Sequence, residues 1–222
     1  MAATPSSPPP PGLAQDWEAT WRAGVPPGTR WDIGGPWLPL VRLLRAGRVP
    51  PGHALVPGCG RGHDVLALAA PDRAVTGLEI APTAAAEARA LLAASGGAAA
   101  HGASIADGDF FTHSGVYSVI FDYTCLCATL PARRSEWASQ MRALLLPGGL
   151  LICGAFPLRP WPPGAAEDPA RGPPYQLSKQ LYRDLLAPLG FVLELEEDVP
   201  AAESFPARVG YEALSLWRAP PR

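Results

Sequence analysis

Short apolar runs recur along the chain and alternate with segments of helical composition. The runs predict buried strands, and the segments between them predict helices. This alternation is typical of a parallel sheet covered by helices on both faces. The predicted strands are 53–57, 74–80, 102–106, 116–123 and 149–156. The predicted helices among them are 64–70, 82–94 and 133–146.

The two ends of the chain depart from this alternation. After a helix predicted over 178–187, only a loop separates the strands predicted at 191–199 and 209–217, which indicates an antiparallel hairpin at the sheet edge. Near the N-terminus, helical segments are predicted over 13–23 and 36–46. We therefore predict an α/β fold: a Rossmann-like three-layer sandwich with a mostly parallel seven-stranded sheet, a terminal antiparallel hairpin and an N-terminal helical cover.

Composition divides the chain into a tail and a folded part. Residues 1–12 contain five prolines and two serines, and they cannot bury enough apolar surface to offset the entropy of ordering. We predict a disordered, Pro-rich tail over 1–12. Residues 13–222 are predicted to form a single domain, in which 13–50 cover the ligand site.

Charge and hydropathy argue against two classes of binding partner, nucleic acids and membranes. A formal net charge of −2 and a pI near 6.1 leave no broad cationic surface for phosphates, so we expect no nucleic-acid partner. No segment approaches the ~18 apolar residues of a membrane span, and we expect no membrane contact. A cytoplasmic monomer is the expectation.

The four cysteines do not show the paired spacing of metal ligands. They lie in apolar or glycine-rich stretches, where reduced cysteines act as small hydrophobic residues. We expect neither a metal site nor a disulfide. The four are Cys59, Cys125, Cys127 and Cys153.

A glycine-rich turn follows the first strand, at Gly58-Cys59-Gly60-Arg61-Gly62. Glycine permits a tight turn and a close approach of the backbone to a ligand. The spacing G-x-G-x-G differs from the G-x-G-x-x-G of nicotinamide dinucleotide enzymes. Glu79 ends the next strand, where a carboxylate can accept both ribose hydroxyls. Together these features predict an adenosine ligand.

Asp109 and Phe110 follow the third strand, where an adenine ring would lie along the carboxyl edge of the sheet. Asp109 could accept a hydrogen bond from the adenine amino group while Phe110 borders the ring. A second interpretation of Asp109 is a turn or capping residue. His63, which lies next to the glycine turn, is interpreted as structural rather than as a base.

Several motifs between Gln15 and Trp217 resemble the thiopurine S-methyltransferase superfamily, in particular its thiol and halide methyltransferase branch. The Pro-Gly-Cys-Gly turn followed by His-Asp, and Gly-Pro-Pro-Tyr, are specific to this group. The matching stretches are Trp17-Glu18-x-x-Trp21, Trp31-Asp32-x-Gly34, Val56 to Asp64, Gly77 to Ile80, Asp109 to Phe111, Ile120 to Thr124, Leu146 to Gly149, Gly172 to Tyr175 and Arg208-x-Gly210-x-Glu212.

The resemblance implies an S-adenosylmethionine-dependent methyltransferase with S-adenosylhomocysteine as product. Tyr175 is the implied catalytic residue, placed in the acceptor pocket, where its hydroxyl could orient the nucleophile. Tyr123 closes the cofactor site, and Cys125 stands where the family often has an aromatic residue, which widens the acceptor pocket. The implied cofactor-binding residues are Trp17, Trp21, Trp31, Gly58, Gly60, Glu79, Ile80, Asp109, Phe110 and Tyr123.

The expected acceptor is a small soft nucleophile: a thiol, hydrosulfide, thiocyanate or halide. In-line transfer to such a nucleophile requires no general base, because part of a free thiol is already ionised at neutral pH. Three alternatives stay open. They are another small-molecule S-, N- or O-methyltransferase of the thiopurine type, a non-catalytic protein that keeps the fold, and a nicotinamide oxidoreductase.

Overall fold

The computed structural model describes residues 12–29, 31–97, 101–158 and 172–221. The predicted tail, apart from Gly12, lies outside these residues, and so does most of the Pro- and Gly-rich stretch that precedes Pro173. The helices are α1 (Trp17–Arg22), α2 (Leu38–Arg45), α3 (His63–Leu68), α4 (Pro82–Ala94), α5 (Arg134–Leu144) and α6 (Lys179–Leu186). The strands are β1 (Gly52–Pro57), β2 (Arg73–Glu79), β3 (Ala103–Asp107), β4 (Tyr117–Tyr123), β5 (Leu145–Ala155), β6 (Val192–Asp198) and β7 (Ala213–Arg218).

The seven strands form one sheet in the order β3-β2-β1-β4-β5-β7-β6. The first five strands are parallel, and β7 is antiparallel to both of its neighbours, β5 and β6. The predicted α/β class, the mostly parallel seven-stranded sheet and the terminal antiparallel hairpin are confirmed. Strand order reverses between β1 and β4, and in doubly wound sheets such a reversal opens a crevice at the carboxyl ends of the strands.

The central strands are buried on both faces, as their continuous apolar sequence requires. On β4, Val119 and Phe121 pack with α2 and α3, whereas Ile120 between them packs with α5 and α6. Successive side chains of a strand point to opposite faces, so one run of apolar residues supplies both layers of the core. Trp137 of α5 and Trp37, which precedes α2, are fully buried on opposite sides of the sheet.

Strand β5 begins earlier than the sequence predicts. The prediction begins it at Gly149, after the Pro-Gly-Gly stretch, but Leu145 already pairs with Tyr117. The register then shifts between Tyr117 and Val119, so that Val119 pairs with Leu150. The residues between Leu145 and Leu150 therefore form an irregularity within the strand, and glycine and proline in a strand commonly mark such a site.

The segment predicted as an N-terminal cover contains α1, α2 and the turns around them, and of these two helices α2 packs against the sheet. Asp16 caps α1, because its Oδ1 accepts a hydrogen bond from the backbone N–H of Ala19 at 2.9 Å. Glu18 attaches α1 to the start of α4, since its two oxygens accept from the amide (2.9 Å) and the hydroxyl (2.7 Å) of Thr83. These bonds hold the pKa of Glu18 below its usual value. Among the described helices, none is long and apolar enough to cross a membrane.

Candidate active site

A cavity of about 530 Å³ lies at the carboxyl ends of the strands, where the order of the sheet reverses. Residues that follow β1, β2 and β3 line one part of it, and residues that follow β4 and β5 line another. Parts of the N-terminal cover complete the lining. The cavity therefore combines segments that are far apart in sequence, as pockets at such crevices do.

The glycine turn forms the floor of the cavity beside β1. Gly58, Gly60 and Gly62 all have positive φ, at 59°, 52° and 83°. Only glycine adopts this region without steric cost, which explains the residue type at alternate positions. Gly58 and Gly60 line the cavity, whereas Gly62 is the N-cap of α3 and packs against Ala88 of α4.

Glu79 lines the cavity from the end of β2 and also fastens the glycine turn. Its Oε2 accepts from the amide of Gly60 at 2.8 Å, and its Oε1 accepts from the amides of Ile80 and Ala81 at 2.9 and 3.0 Å. Burial raises the pKa of Glu79, while the three amides oppose that rise. A carboxylate has about four lone-pair sites, so capacity remains for a ligand hydroxyl.

Asp109 lines the cavity after β3, together with Gly108 and Phe110. Its Oδ1 accepts from the amide of Phe111 at 3.0 Å and caps the turn Phe110–Thr112, as the second interpretation of this residue predicts. Its Oδ2 accepts no hydrogen bond from the residues that the structure describes. One oxygen therefore fixes the turn, and the other is available to a donor in the cavity.

Three tryptophans of the cover line the cavity. The rings of Trp17 and Trp31 meet edge to face with centroids 5.4 Å apart, and those of Trp21 and Trp31 lie 6.2 Å apart. They pack with Ala81 and Ala84 at the start of α4. Trp21 also stands against Gly60, where an added Cβ would lie 3.5 Å from the ring. The cover thus places aromatic rings directly over the glycine turn.

Arg61, in the middle of the glycine turn, ties the cover to the rest of the fold. Its Nε donates to Asp32 Oδ2 at 2.7 Å, one terminal nitrogen donates to the backbone oxygen of Val25 at 2.6 Å, and the other pairs with Glu87 of α4. The guanidinium also lies 5.5 Å from the centre of the Trp21 ring. Sequence reasoning missed this role, because the partners are 26 to 36 residues away along the chain.

His63 lies beside the same ion pair, with its Nε2 3.9 Å from Asp32 Oδ1. Burial lowers the pKa of His63, an effect that the nearby Asp32 opposes and Arg61 reinforces. A lowered pKa favours the neutral ring at neutral pH. This position is consistent with the structural interpretation of His63.

The segment after β4 lines the other part of the cavity. It includes Thr124, Cys125, Cys127 and Thr129. Burial, reinforced by the charge of Asp122, raises the pKa of Cys125 well above its usual range and that of Cys127 to about 12. Both thiols therefore stay protonated at neutral pH. The four cysteines are all free.

Tyr123 does not line this cavity but borders a smaller recess behind it, together with Gly58 and Gly60. Its ring stacks on Trp37 at 4.7 Å, and its hydroxyl donates to Glu212 and accepts from Arg208. Arg208 also donates to the backbone oxygen of Trp31 at 3.1 Å. The Arg-x-Gly-x-Glu motif thus forms a buried network beneath the cover.

Tyr175 is almost fully buried and packs against Gly172, while its neighbours Pro173 and Pro174 line the cavity. Its amide donates to the backbone oxygen of Cys127 at 2.7 Å, so the segment is anchored to the turn after β4. The structure places Tyr175 next to the β4 side of the cavity but not in its lining.

Nine of the eleven predicted site residues share the cavity, and Tyr123 and Tyr175 lie behind its wall. Site residues that the sequence did not reveal are Arg61, Arg208 and Thr124. All three lie within the recognised stretches, but their roles depend on long-range contacts or on backbone geometry that the sequence does not show. The nine residues in the lining are Trp17, Trp21, Trp31, Gly58, Gly60, Glu79, Ile80, Asp109 and Phe110.

Comparison with known sequences gives matches over most of the chain. The sequence profile described as thiopurine S-methyltransferase matches residues 13–213. The chain is similar to probable thiol methyltransferase 2 of Arabidopsis thaliana, with 39% identity over 204 residues that cover 91% of this chain and 84% of that protein. It is similar to thiocyanate methyltransferase 1 of Brassica oleracea, with 37% identity over 91% of this chain and 84% of that protein.

Solved structures share the fold at lower sequence identity. One, described under the conversion of a disulfide bond into a thioacetal group during echinomycin biosynthesis, has a TM-score of 0.70 and 24% identity, with 92% of this chain and 90% of that chain covered. Magnesium protoporphyrin IX methyltransferase from Synechocystis with bound SAM has a TM-score of 0.61 and 19% identity, with 81% of this chain and 76% of that chain covered. These similarities establish the shared architecture.

Proposed function

The chain belongs to the thiopurine S-methyltransferase family, and from that premise we propose that it transfers a methyl group from S-adenosylmethionine to a small sulfur nucleophile. The observation that carries the proposal is the composition of the cavity. Its β1–β3 side joins a glycine turn to two carboxylates, and its β4 side is lined by thiols, hydroxyls and apolar groups.

The residues on the β1–β3 side fit S-adenosylmethionine. Glu79 keeps acceptor capacity for a ribose hydroxyl, and Asp109 Oδ2 can accept from the adenine amino group, with Phe110 beside the ring. Gly58 and Gly60 let the backbone approach the methionine portion. When bound, the cofactor supplies an electrophilic methyl group on a positively charged sulfur.

The cover supplies the remaining cofactor contacts. Trp17, Trp21 and Trp31 present aromatic rings to the cavity, and a cation close to such a ring gains roughly 0.5 to 2 kcal/mol. The same rings exclude water, which strengthens electrostatic interactions inside the site. We also assign Ile80 to the cofactor pocket, which it lines. Tyr123 has an indirect role there, because it borders the recess behind Gly58 and Gly60.

The acceptor side suits a sulfur nucleophile that arrives already ionised. Among the described residues of the lining, the charged side chains are Glu79 and Asp109, and no histidine or lysine is present as a base. The raised pKa values of Cys125 and Cys127 keep these thiols protonated, so they do not compete for the methyl group. The chain's contribution is therefore orientation and exclusion of water.

A panel of acceptors with S-adenosylmethionine tests the proposal. Hydrosulfide, thiocyanate, an aliphatic thiol, a thiopurine and iodide are supplied separately, and methylated products are measured by gas or liquid chromatography. We expect S-methylation of at least one sulfur acceptor. Binding of S-adenosylhomocysteine without methylation of any sulfur acceptor would contradict the acceptor assignment. Binding of a nicotinamide dinucleotide in its place would contradict the cofactor assignment.

Glu79→Gln tests the cofactor pocket directly. The substitution replaces one acceptor oxygen by a donor, which weakens both the ribose contact and the hold of Glu79 on the glycine turn, so we expect affinity for S-adenosylhomocysteine, measured by calorimetry, to fall about 10-fold. Asp107→Asn is the matched control, because Asp107 is exposed and pairs with Arg89 outside the cavity. Equal affinities of the two variants would place the ribose elsewhere.

Tyr175→Phe tests whether Tyr175, which lies just behind the β4 side of the cavity, acts on the acceptor as the sequence predicts. Removing a hydroxyl that orients the nucleophile should lower the rate of methyl transfer about 10-fold and leave the affinity for S-adenosylhomocysteine unchanged. A loss of both in equal measure would assign Tyr175 to packing alone.

A further inference from the structure

The backbone of Thr124 adopts an unusual conformation at the end of β4. Its φ is 70°, and among the residues that the structure describes it is the only non-glycine residue with positive φ. For a β-branched side chain this region is sterically unfavourable, because the Cβ atom approaches the following carbonyl. Strained conformations of this kind cost about 1–3 kcal/mol and concentrate at functional sites.

Buried groups hold Thr124 in this conformation. The fully buried Asp122 accepts from the amides of Cys125 and Leu126 at 3.2 and 3.3 Å, and Cys127 Sγ donates to the backbone oxygen of Thr124 at 3.3 Å. The indole N–H of Trp137 binds the second oxygen of Asp122 at 2.7 Å. Hydrogen bonds to buried side chains therefore fix the conformation of the turn.

Thr124 lines both the main cavity and the recess behind the glycine turn. The next residue, Cys125, faces that turn, since a Cβ added at Gly58 would lie 3.7 Å from its Sγ. The Thr124 hydroxyl has no hydrogen-bond partner within the described part of the chain. By contrast, Thr129, on the same wall, donates its hydroxyl to the backbone oxygen of Cys125 at 3.1 Å.

We propose that Thr124 is a residue of the acceptor subsite and that its hydroxyl donates a hydrogen bond to the anionic sulfur of the incoming nucleophile. The inference rests on the proposed function and extends it to a residue that positions the acceptor. A neutral hydroxyl orients an anion without forming a tight ion pair that would weaken its nucleophilicity. The strained backbone places this donor where β4 ends, next to the glycine turn.

Two substitutions separate the hydroxyl from the shape of the side chain. Thr124→Val keeps the β-branched shape and removes the donor, so kcat/KM for the sulfur acceptor should fall about 10-fold to 100-fold, as for loss of a hydrogen bond to a charged group. Thr124→Ser keeps the donor and should stay within about 3-fold of the wild type. Affinity for S-adenosylhomocysteine should be unchanged in both. Thr76→Val on β2 is the matched control, because the Thr76 hydroxyl contacts His53 and lies outside the cavity.

A third variant tests the strain. Glycine accepts positive φ freely, and this relief of strain offsets the greater entropy of glycine in the unfolded chain, so the Tm of Thr124→Gly should stay close to that of the wild type while its acceptor kcat/KM falls as in Thr124→Val. The proposal is overturned if Thr124→Val retains wild-type kcat/KM, if Thr124→Ser loses as much as Thr124→Val, or if Thr124→Gly retains wild-type kcat/KM. An inactive wild-type protein would instead contradict the proposed function itself.

Discussion

At two strand ends, a single carboxylate accepts hydrogen bonds from several backbone amides and thereby fixes a turn of the site. Glu79 binds three amides around the glycine turn, and Asp122 binds two amides after β4 together with the Trp137 indole. Both are buried, and burial without such partners would be costly for a carboxylate. The hydrogen bonds from these amides replace the water that each carboxylate loses on burial, and they fix the turns on either side of the cavity.

Asp122 makes the stability of the fold depend on pH. Burial raises its pKa from 3.8 to about 6, although the Trp137 indole and two amides oppose the rise. Between these pH values the folded protein binds more protons than the unfolded chain, so stability falls as the pH rises from about 4 to 6. The shift corresponds to about 3 kcal/mol.

Asp122→Asn removes this titration. The free energy of unfolding of the wild type, measured by urea denaturation relative to Asp122→Asn, should decrease by about 3 kcal/mol between pH 4 and pH 7. Asp184→Asn, an exposed substitution on α6, controls for the loss of one charge. A difference that stays constant or grows with pH would contradict the role of Asp122.

At the scale of elements, polar contacts on either side of an aromatic cluster help to hold the cover on the sheet. Glu18 binds the first turn of α4, and Arg61 binds Asp32, Glu87 and the Val25 carbonyl. Because Arg61 belongs to the glycine turn, the same loop contacts both the ligand cavity and the cover. The cover and the ligand cavity therefore share one structural element.

Arg61→Ala should loosen the cover. It leaves the nearly buried Asp32 carboxylate without its guanidinium, and breaking such a pair costs about 3 kcal/mol. We expect a lower free energy of unfolding and a weaker affinity for S-adenosylhomocysteine, measured by denaturation and calorimetry. Asp32→Asn in the Arg61→Ala background should restore part of the stability, because it removes the unpaired charge.

Arg22→Ala is the control for that experiment. Arg22 lies in the same cover but is mostly exposed, so its substitution should change stability by less than about 0.5 kcal/mol. Equal changes in the free energy of unfolding for Arg22→Ala and Arg61→Ala would show that the contacts of Arg61 do not stabilise the cover.

At the scale of the whole molecule, ligand binding should raise the free energy of unfolding. The reason is that the binding site is made of segments that only the folded chain brings together. The cavity takes its lining from the cover and from residues that follow five different strands. S-adenosylhomocysteine at 100 times its Kd should add about 2.7 kcal/mol, because the unfolded chain has no such site. For a chain of this size that is a Tm increase of roughly 5–10 °C in scanning calorimetry. No increase at saturation would contradict the assignment of this cavity to the cofactor.

The sequence by itself determined the features that depend on neighbouring residues. Strand and helix periodicity gave the parallel sheet and its terminal hairpin, and glycines at alternate positions identified the turn whose φ values are all positive. Glu79 could be identified because a strand end fixes its place at the carboxyl edge of the sheet. Cofactor class and family follow from these local patterns, since each is encoded within a few turns of chain.

The tertiary structure alone decided how distant segments meet. Tyr123 and Tyr175 belong to recognised motifs, yet packing places both behind the cavity wall, and Arg61 and Arg208 reach partners that no local pattern connects to them. The strain at Thr124 is likewise invisible in the sequence, because threonine normally avoids positive φ. Such features arise from the order of the strands and the packing of the cover, which are properties of the complete fold.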